Sequence, residues 1–181
     1  MNPGFSPFPI LTTERLVLRR MADTDKNEIF FIRSDQEINK FIERPLLTHM
    51  EEATAFISKI NKGIEEESHL YWITTLKGNP QPIGTICLWN FLVDHTVAEL
   101  GYELIPAYQR QGLLQEAMLS VIHYGLFKIS LKRIEAYTHK DNLRSIQLLE
   151  KNRFTRELNK TDQDHSSNII FSITKPDSQN I

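Results

Sequence analysis

Cysteine is nearly absent from this chain: Cys87 is the single one among 181 residues. One thiol closes no internal disulfide, so disulfide scaffolds and cysteine-based zinc sites are excluded, and no metal site is expected. Cys87 lies in the apolar run PIGTICLWNF, where a small buried hydrophobe is the expected role rather than a nucleophile. Long apolar runs are lacking too, and none approaches the ~20 residues needed to cross a bilayer. The opening MNPGFSPFPILTTERL has no basic segment leading into a long apolar stretch, so it does not read as a secretory signal. Positive charge is not in excess either. A formal net charge of −2 gives no electrostatic case for nucleic acid as the main partner. There is no G-x-G-x-x-G, and no Lys-Ser/Thr follows Gly112, which argues against a nucleotide-binding module. A cytoplasmic protein without membrane or nucleic-acid partners is expected.

What is present fits one α/β domain over residues 11–175, after an extended proline-containing lead-in (1–10) and before a short tail (176–181). RLVLRR (15–20) alternates as a strand. Helical stretches follow Asp23 (Ile29, Phe30, Ile32) and Asp35 (Ile38, Phe41, Ile42). Thr48 and Glu51 have capping-box spacing ahead of a helix carrying Ala53, Phe56, Ile57, Ile60 and Ile64, expected to end near Glu67. LYWITTL (70–76), PIGTICLWNF (82–91) and VAELGYEL (97–104) read as three antiparallel strands. A helix then runs from Leu113 to about Leu126, followed by a strand at 133–139, a helix at 142–152 and a last strand at 168–174. This order predicts a single-domain, mostly antiparallel mixed sheet with helices on both faces. Its central parallel pair, 97–104 and 133–139, is expected to splay and leave a crevice.

The segment LIPAYQRQGLLQEAML (104–119) carries the strongest functional signal. A strand end passes through a short link into Gly112 and then into an amphipathic helix. Without a Cβ the backbone can approach a ligand closely. The free N–H groups of a first helical turn, backed by the helix dipole, form an anion site, and Arg110 adds charge beside it. Gly112 could equally serve only to ease the turn.

Together, TTERLVLR (12–19), AELGYELIPAYQRQGLLQEA (98–117) and NLRSIQLLEKNRF (142–154) resemble the GNAT acetyltransferase superfamily, and within it the ribosomal-protein alanine and serine N-acetyltransferases. The likeness runs from about Leu11 to Thr174. It implies the acyl-CoA N-acyltransferase fold, with acetyl-CoA as acetyl donor. Backbone N–H groups of Gln109, Arg110, Gln111, Gly112, Leu113 and Leu114 would hold its diphosphate. Leu104 and Ile105 would pair with the pantetheine arm, and Asn142 would hydrogen-bond it or simply cap its helix. Three departures stand out. Leu114 replaces a common Gly or Ala, Arg153 replaces a glycine, and Leu149 occupies the place of a tyrosine that serves many relatives as general acid.

Acetyl transfer requires a neutral amine, a stabilised oxyanion and a proton for the departing thiolate. Glu99, mid-strand on the face opposite Ala98, Leu100, Tyr102 and Leu104, is the candidate base, with Glu103 on the same face as its competitor. Ser145 is the acid that the resemblance implies, or else a serine bonding back to its own helix. Trp89 and Asn90 are candidate walls of the acceptor pocket; Asp162, Asp164 and His165 form a polar loop before the last strand, either an ordinary loop or the source of a substrate-side carboxylate. An α-amine (reference pKa ~7.7–8.0) releases its proton more cheaply than a lysine (~10.4), which favours an α-amine, as at a protein N-terminus, or a small amine of low pKa as acceptor. A small-molecule amine, or a catalytically weak acyl-CoA sensor, is the alternative. A homodimer stays open.

Overall fold

The computed structural model of the chain describes residues 6–175; residues 1–5 of the lead-in and the tail at 176–181 lie outside the described residues. Eight strands form one sheet in the order β1-β2-β3-β4-β5-β6-β8-β7. They are β1 (Leu11–Thr12), β2 (Leu16–Arg20), β3 (Leu70–Leu76), β4 (Pro82–Trp89), β5 (Val97–Leu104), β6 (Arg133–His139), β7 (Thr155–Arg156) and β8 (Asn168–Thr174). Every neighbouring pair is antiparallel except β5 and β6. The helices are α1 (Lys26–Ser34), α2 (Gln36–Asn39), α3 (Met50–Glu65), α4 (Leu113–His123) and α5 (Leu143–Lys151).

The alternation along β5 sends every second side chain into the larger of two cores. Ala98, Leu100 and Leu104 join a cluster with Leu113, Ala117, Met118 and Val121 of α4 and Leu149 of α5, and Tyr102 packs against it. On the other face, Ile29 of α1 and Ala53, Ile57, Ile60 and Ile64 of α3 pack on Ile73. A helix layer on each face buries both sides of β4, which is why seven of its eight residues are buried.

The parallel pair is short. β5 and β6 are in register only at Val97–Arg133, Ala98–Ile134 and Glu99–Glu135. Past Glu99, β5 stays paired with β4 as far as Leu104, while β6 stays paired with β8 as far as His139. Each strand follows its outer neighbour, so a wedge opens between them. The crevice expected from the strand order is present.

Several local expectations need correction. The box at the start of α3 is one residue later than expected: Glu52, not Glu51, accepts the N–H groups of Thr48 and His49 at 2.7 and 2.8 Å. That helix ends at Glu65, β4 at Trp89, and α4 at His123, where a wider turn over Tyr124–Lys128 takes over. In that turn Gly125 lies against Ile134, Leu131 and Leu88, closer than a side chain would allow.

Candidate active site

The link from β5 to α4 adopts the backbone an anion loop requires. Arg110 (φ 63°) and Gly112 (φ 75°) both lie in the left-handed region, and Gly112 caps α4. This is natural for glycine and strained for arginine. The turn aims the first N–H groups of α4 outward beside exposed Gln111 and Gly112. The Leu113 side chain is buried and Leu114 packs on the core, so at these two positions only the main chain can face a ligand. Gln109 braces the loop: its amide N–H donates to the Leu104 carbonyl at 2.9 Å, and its carbonyl accepts from Arg144 of α5 at 3.2 Å.

A second cation stands at this loop, one that sequence reasoning missed. Arg15, in the turn before β2, donates from Nη1 to the Gln111 carbonyl at 2.9 Å and from Nε to Glu116 at 2.7 Å. Its Nη2 lies 3.5 Å from where a Cβ on Gly112 would be. Glu116 also accepts from Thr13 Oγ1 and from the Arg15 N–H, which holds its carboxyl below the usual range although burial opposes this. Both motifs, TTER and QEA, were visible in the sequence; their mutual contact was not.

Along the wedge the Ile105 N–H donates to the Ile83 carbonyl at 2.9 Å and so turns toward β4, away from the gap. By strand alternation the main chain of Tyr102 and Leu104 faces the gap instead. Of the two residues expected to pair with the pantetheine arm, Leu104 therefore turns its main chain to the gap, whereas the Ile105 N–H is taken up by β4.

Glu99 and Glu103 share a face but not a fate. Glu103, its side chain 9% exposed, is ion-paired with Arg44 from the loop between α2 and α3. Among the described residues no cation is bonded to Glu99; Asn90, held in the left-handed region at φ 52°, donates to its Oε2 at 3.3 Å. Burial pushes the Glu99 carboxyl up to about 7; the Asn90 bond and Lys160 oppose this, and the nearby Asp162 and Glu135 add to it. Glu135, the parallel-register neighbour of Glu99, is itself buried and paired with Lys160 and Arg133. Trp89, 43% exposed, is the cross-strand partner of Glu99. Its indole nitrogen lies 3.6 Å from where a Gly101 Cβ would be, and Cys87 Sγ is 2.9 Å from the same point. Gly101 thus keeps the floor beside Glu99 flat. Asp162 organises its loop, accepting from the N–H groups of Asp164 and His165 and from Asn168.

On the opposite face, Ser145 is buried in the first turn of α5. Its N–H donates to Asn142 Oδ1 at 3.2 Å, so Asn142 does cap the helix. Ser145 Oγ lies 2.8 Å from the Tyr102 hydroxyl. Leu149 is wholly buried in the core. Arg153, at φ 65°, lies in the left-handed region that favours glycine, and the Phe154 N–H donates to the Leu149 carbonyl at 3.0 Å.

The sequence profile of the acetyltransferase (GNAT) domain matches residues 15–155. This chain belongs to the GNAT family. This GNAT protein is 31% identical over 175 residues to the uncharacterised N-acetyltransferase YoaA of Bacillus subtilis (strain 168), covering 93% of this chain and 98% of that one. Among solved structures it is similar to a ribosomal-protein alanine acetyltransferase from Vibrio fischeri, with TM-score 0.78 and 19% identity over 93% of this chain and 98% of the other. It is also similar to RimL, a ribosomal-protein α-N-acetyltransferase in complex with coenzyme A, with TM-score 0.79 and 14% identity over 92% and 98%. At these identities the structural likeness establishes the GNAT fold alone. Among the described residues no helix is long and apolar enough to cross a membrane.

Proposed function

We propose that this GNAT protein moves an acetyl group from acetyl-CoA to a primary amine, by preference a protein N-terminal α-amine, by direct transfer. The observation that supports this reading is a carboxyl and a hydroxyl on opposite faces of one gap. Glu99 lies on the α1/α3 side and Ser145 on the α4/α5 side. The donor contributes a thioester-activated acetyl group. Main-chain N–H groups from Arg110 to Leu114, with the side chains of Arg15 and Arg110, suit its diphosphate; the Gln109 N–H expected among them is instead engaged by the Pro106 carbonyl at 3.1 Å. Asn142 and the main chain of Tyr102 and Leu104 suit its pantetheine arm. Glu99 removes the amine's proton on one face; Ser145 supplies a proton to the leaving sulfur on the other.

The carboxyl of Glu99, near 7, is matched to an α-ammonium at ~7.7–8.0, an uphill transfer of about 1 unit or ~1.4 kcal/mol. A lysine at ~10.4 would cost about 4–5 kcal/mol. A small amine is the second reading, favoured by the segment between α2 and α3. Its Phe41 meets His139 (ring centroids 5.4 Å apart), its Glu43 meets His165 at 2.6 Å, and its Arg44 meets Glu103, which narrows the acceptor side.

The test is to incubate the protein with acetyl-CoA and a panel of N-terminal peptides and small amines while following free thiol. Thiol release with peptides supports the first reading, and release confined to small amines the second. Silence with every acceptor, in a preparation that binds CoA, leaves only an acyl-CoA sensor.

A further inference from the structure

Ser145 alone is a poor acid, because an aliphatic hydroxyl gives up its proton far less readily than a thiol does. Leu149, one turn further along α5, offers no acidic proton, and its side chain is sealed in the core. A phenol does reach Ser145, from β5. Tyr102 leaves β5 on the apolar face, among Ala98, Leu100 and Leu104, and its hydroxyl meets Ser145 Oγ at 2.8 Å. Asn142 holds the serine's main chain from the start of α5. Resting on the acetyltransferase reading, we infer that Tyr102 and Ser145 deliver the proton as a pair. Ser145 donates to the departing sulfur while accepting the proton of Tyr102.

The steps balance. As the carbon–sulfur bond breaks, its electron pair stays on sulfur. The Ser145 proton bonds to sulfur, the Tyr102 proton bonds to the serine oxygen, and the phenolate recovers a proton from solvent water. Glu99 returns to water the proton it removed from the amine, so no charge accumulates. Burial pushes the Tyr102 hydroxyl up to about 12, against the pull of the Ser145 bond, so at neutral pH the phenol holds its proton and serves as donor. Tyr102 acts through Ser145, as a positioning residue for the proton.

The pair is tested without any acceptor. CoA is bound to the protein, and the pKa of its thiol is followed through the ultraviolet absorbance of the thiolate. A donor aimed at sulfur favours the thiolate and lowers that pKa. Expected is a bound-thiol pKa about one unit lower in the wild type than in Tyr102→Phe, a tenfold difference in proton affinity. Ser145→Ala should give the same rise, with no further rise in the double variant. The phenyl ring of Tyr102→Phe keeps the packing. Should that variant fold poorly, uniform replacement of tyrosine by a fluorinated, more acidic tyrosine gives a second measurement, in which the thiol pKa falls further. A thiol pKa unmoved by Tyr102→Phe, or by fluorination, overturns the pair alone. Failure of the wild type to bind CoA overturns the acetyltransferase reading and the pair with it.

Discussion

At the scale of single residues, the choice between Glu99 and Glu103 shows how a distant contact assigns chemistry. The two carboxylates lie four positions apart on one strand face, and the strand pattern ranks neither. Arg44, 59 residues from Glu103 along the chain, claims one and leaves the other bonded only to the neutral amide of Asn90 among the described residues. Glu99→Gln should therefore abolish most turnover while preserving CoA binding. In the wild type the rate should rise with pH along a limb near 7, the pH at which Glu99 loses its proton. The same shift has a stability sign. A carboxyl whose folded pKa exceeds its unfolded value binds protons more tightly in the native state. Folding is thus unpenalised below about pH 4.5 and loses stability as pH rises toward 7. Glu99→Gln should gain about 1–3 kcal/mol at pH 8 and almost nothing at pH 4.5, measured by denaturant melts at both. Arg153 is the other telling residue. It makes a left-handed turn without being glycine, so Arg153→Gly should stabilise the fold by about 0.5–1 kcal/mol. Tyr102 was legible in the sequence only as a ring on the apolar face. Periodicity records which way a side chain faces, not what its terminal atom meets.

At the scale of elements, the long helices and central strands were readable because burial on one face imposes a period over many residues. Two-residue strands such as β1 and β7 are too short to show one, and neither was expected. The left-handed turn into α4 was legible from its glycine; its buttress was not. Glu116 puts negative charge in the first turn of α4, where it suits the helix dipole but repels an incoming diphosphate. Arg15, 101 residues away along the chain, cancels that charge and presents its remaining nitrogen above Gly112. Arg15→Gln should weaken CoA binding about tenfold, or ~1.4 kcal/mol, by removing a cation and baring Glu116. Glu116→Gln should cost less affinity, because the guanidinium survives. The pair is partly exposed, so neither change should move folding stability by more than ~1 kcal/mol. Titration calorimetry with CoA, run beside denaturant melts, separates the two effects. Equal losses of affinity in both variants would mean that Arg15 acts only through Glu116.

At the scale of the whole molecule, the sheet is two antiparallel blocks, β1–β5 and β8–β6, joined by three register pairs and by the core under α4 and α5. The gap that prepares the site is also where the sheet is least continuous. A ligand that lies along β5 and reaches α5 touches both blocks and binds only when they are assembled, so it stabilises the native state by mass action. CoA at about 100 times its dissociation constant should add ~2.7 kcal/mol, which in a domain of this size raises the melting temperature by roughly 5–10 °C. Gly112→Val supplies the control. A β-branched side chain at φ 75° is strained and stands in the anion loop, beneath Arg15. The variant should melt lower than the wild type by itself and should gain no temperature from CoA. Thermal scans across a CoA series, at fixed ionic strength, read both effects at once. If CoA stabilises the Gly112→Val protein as well as the wild type, the coenzyme is held somewhere other than the turn between β5 and α4.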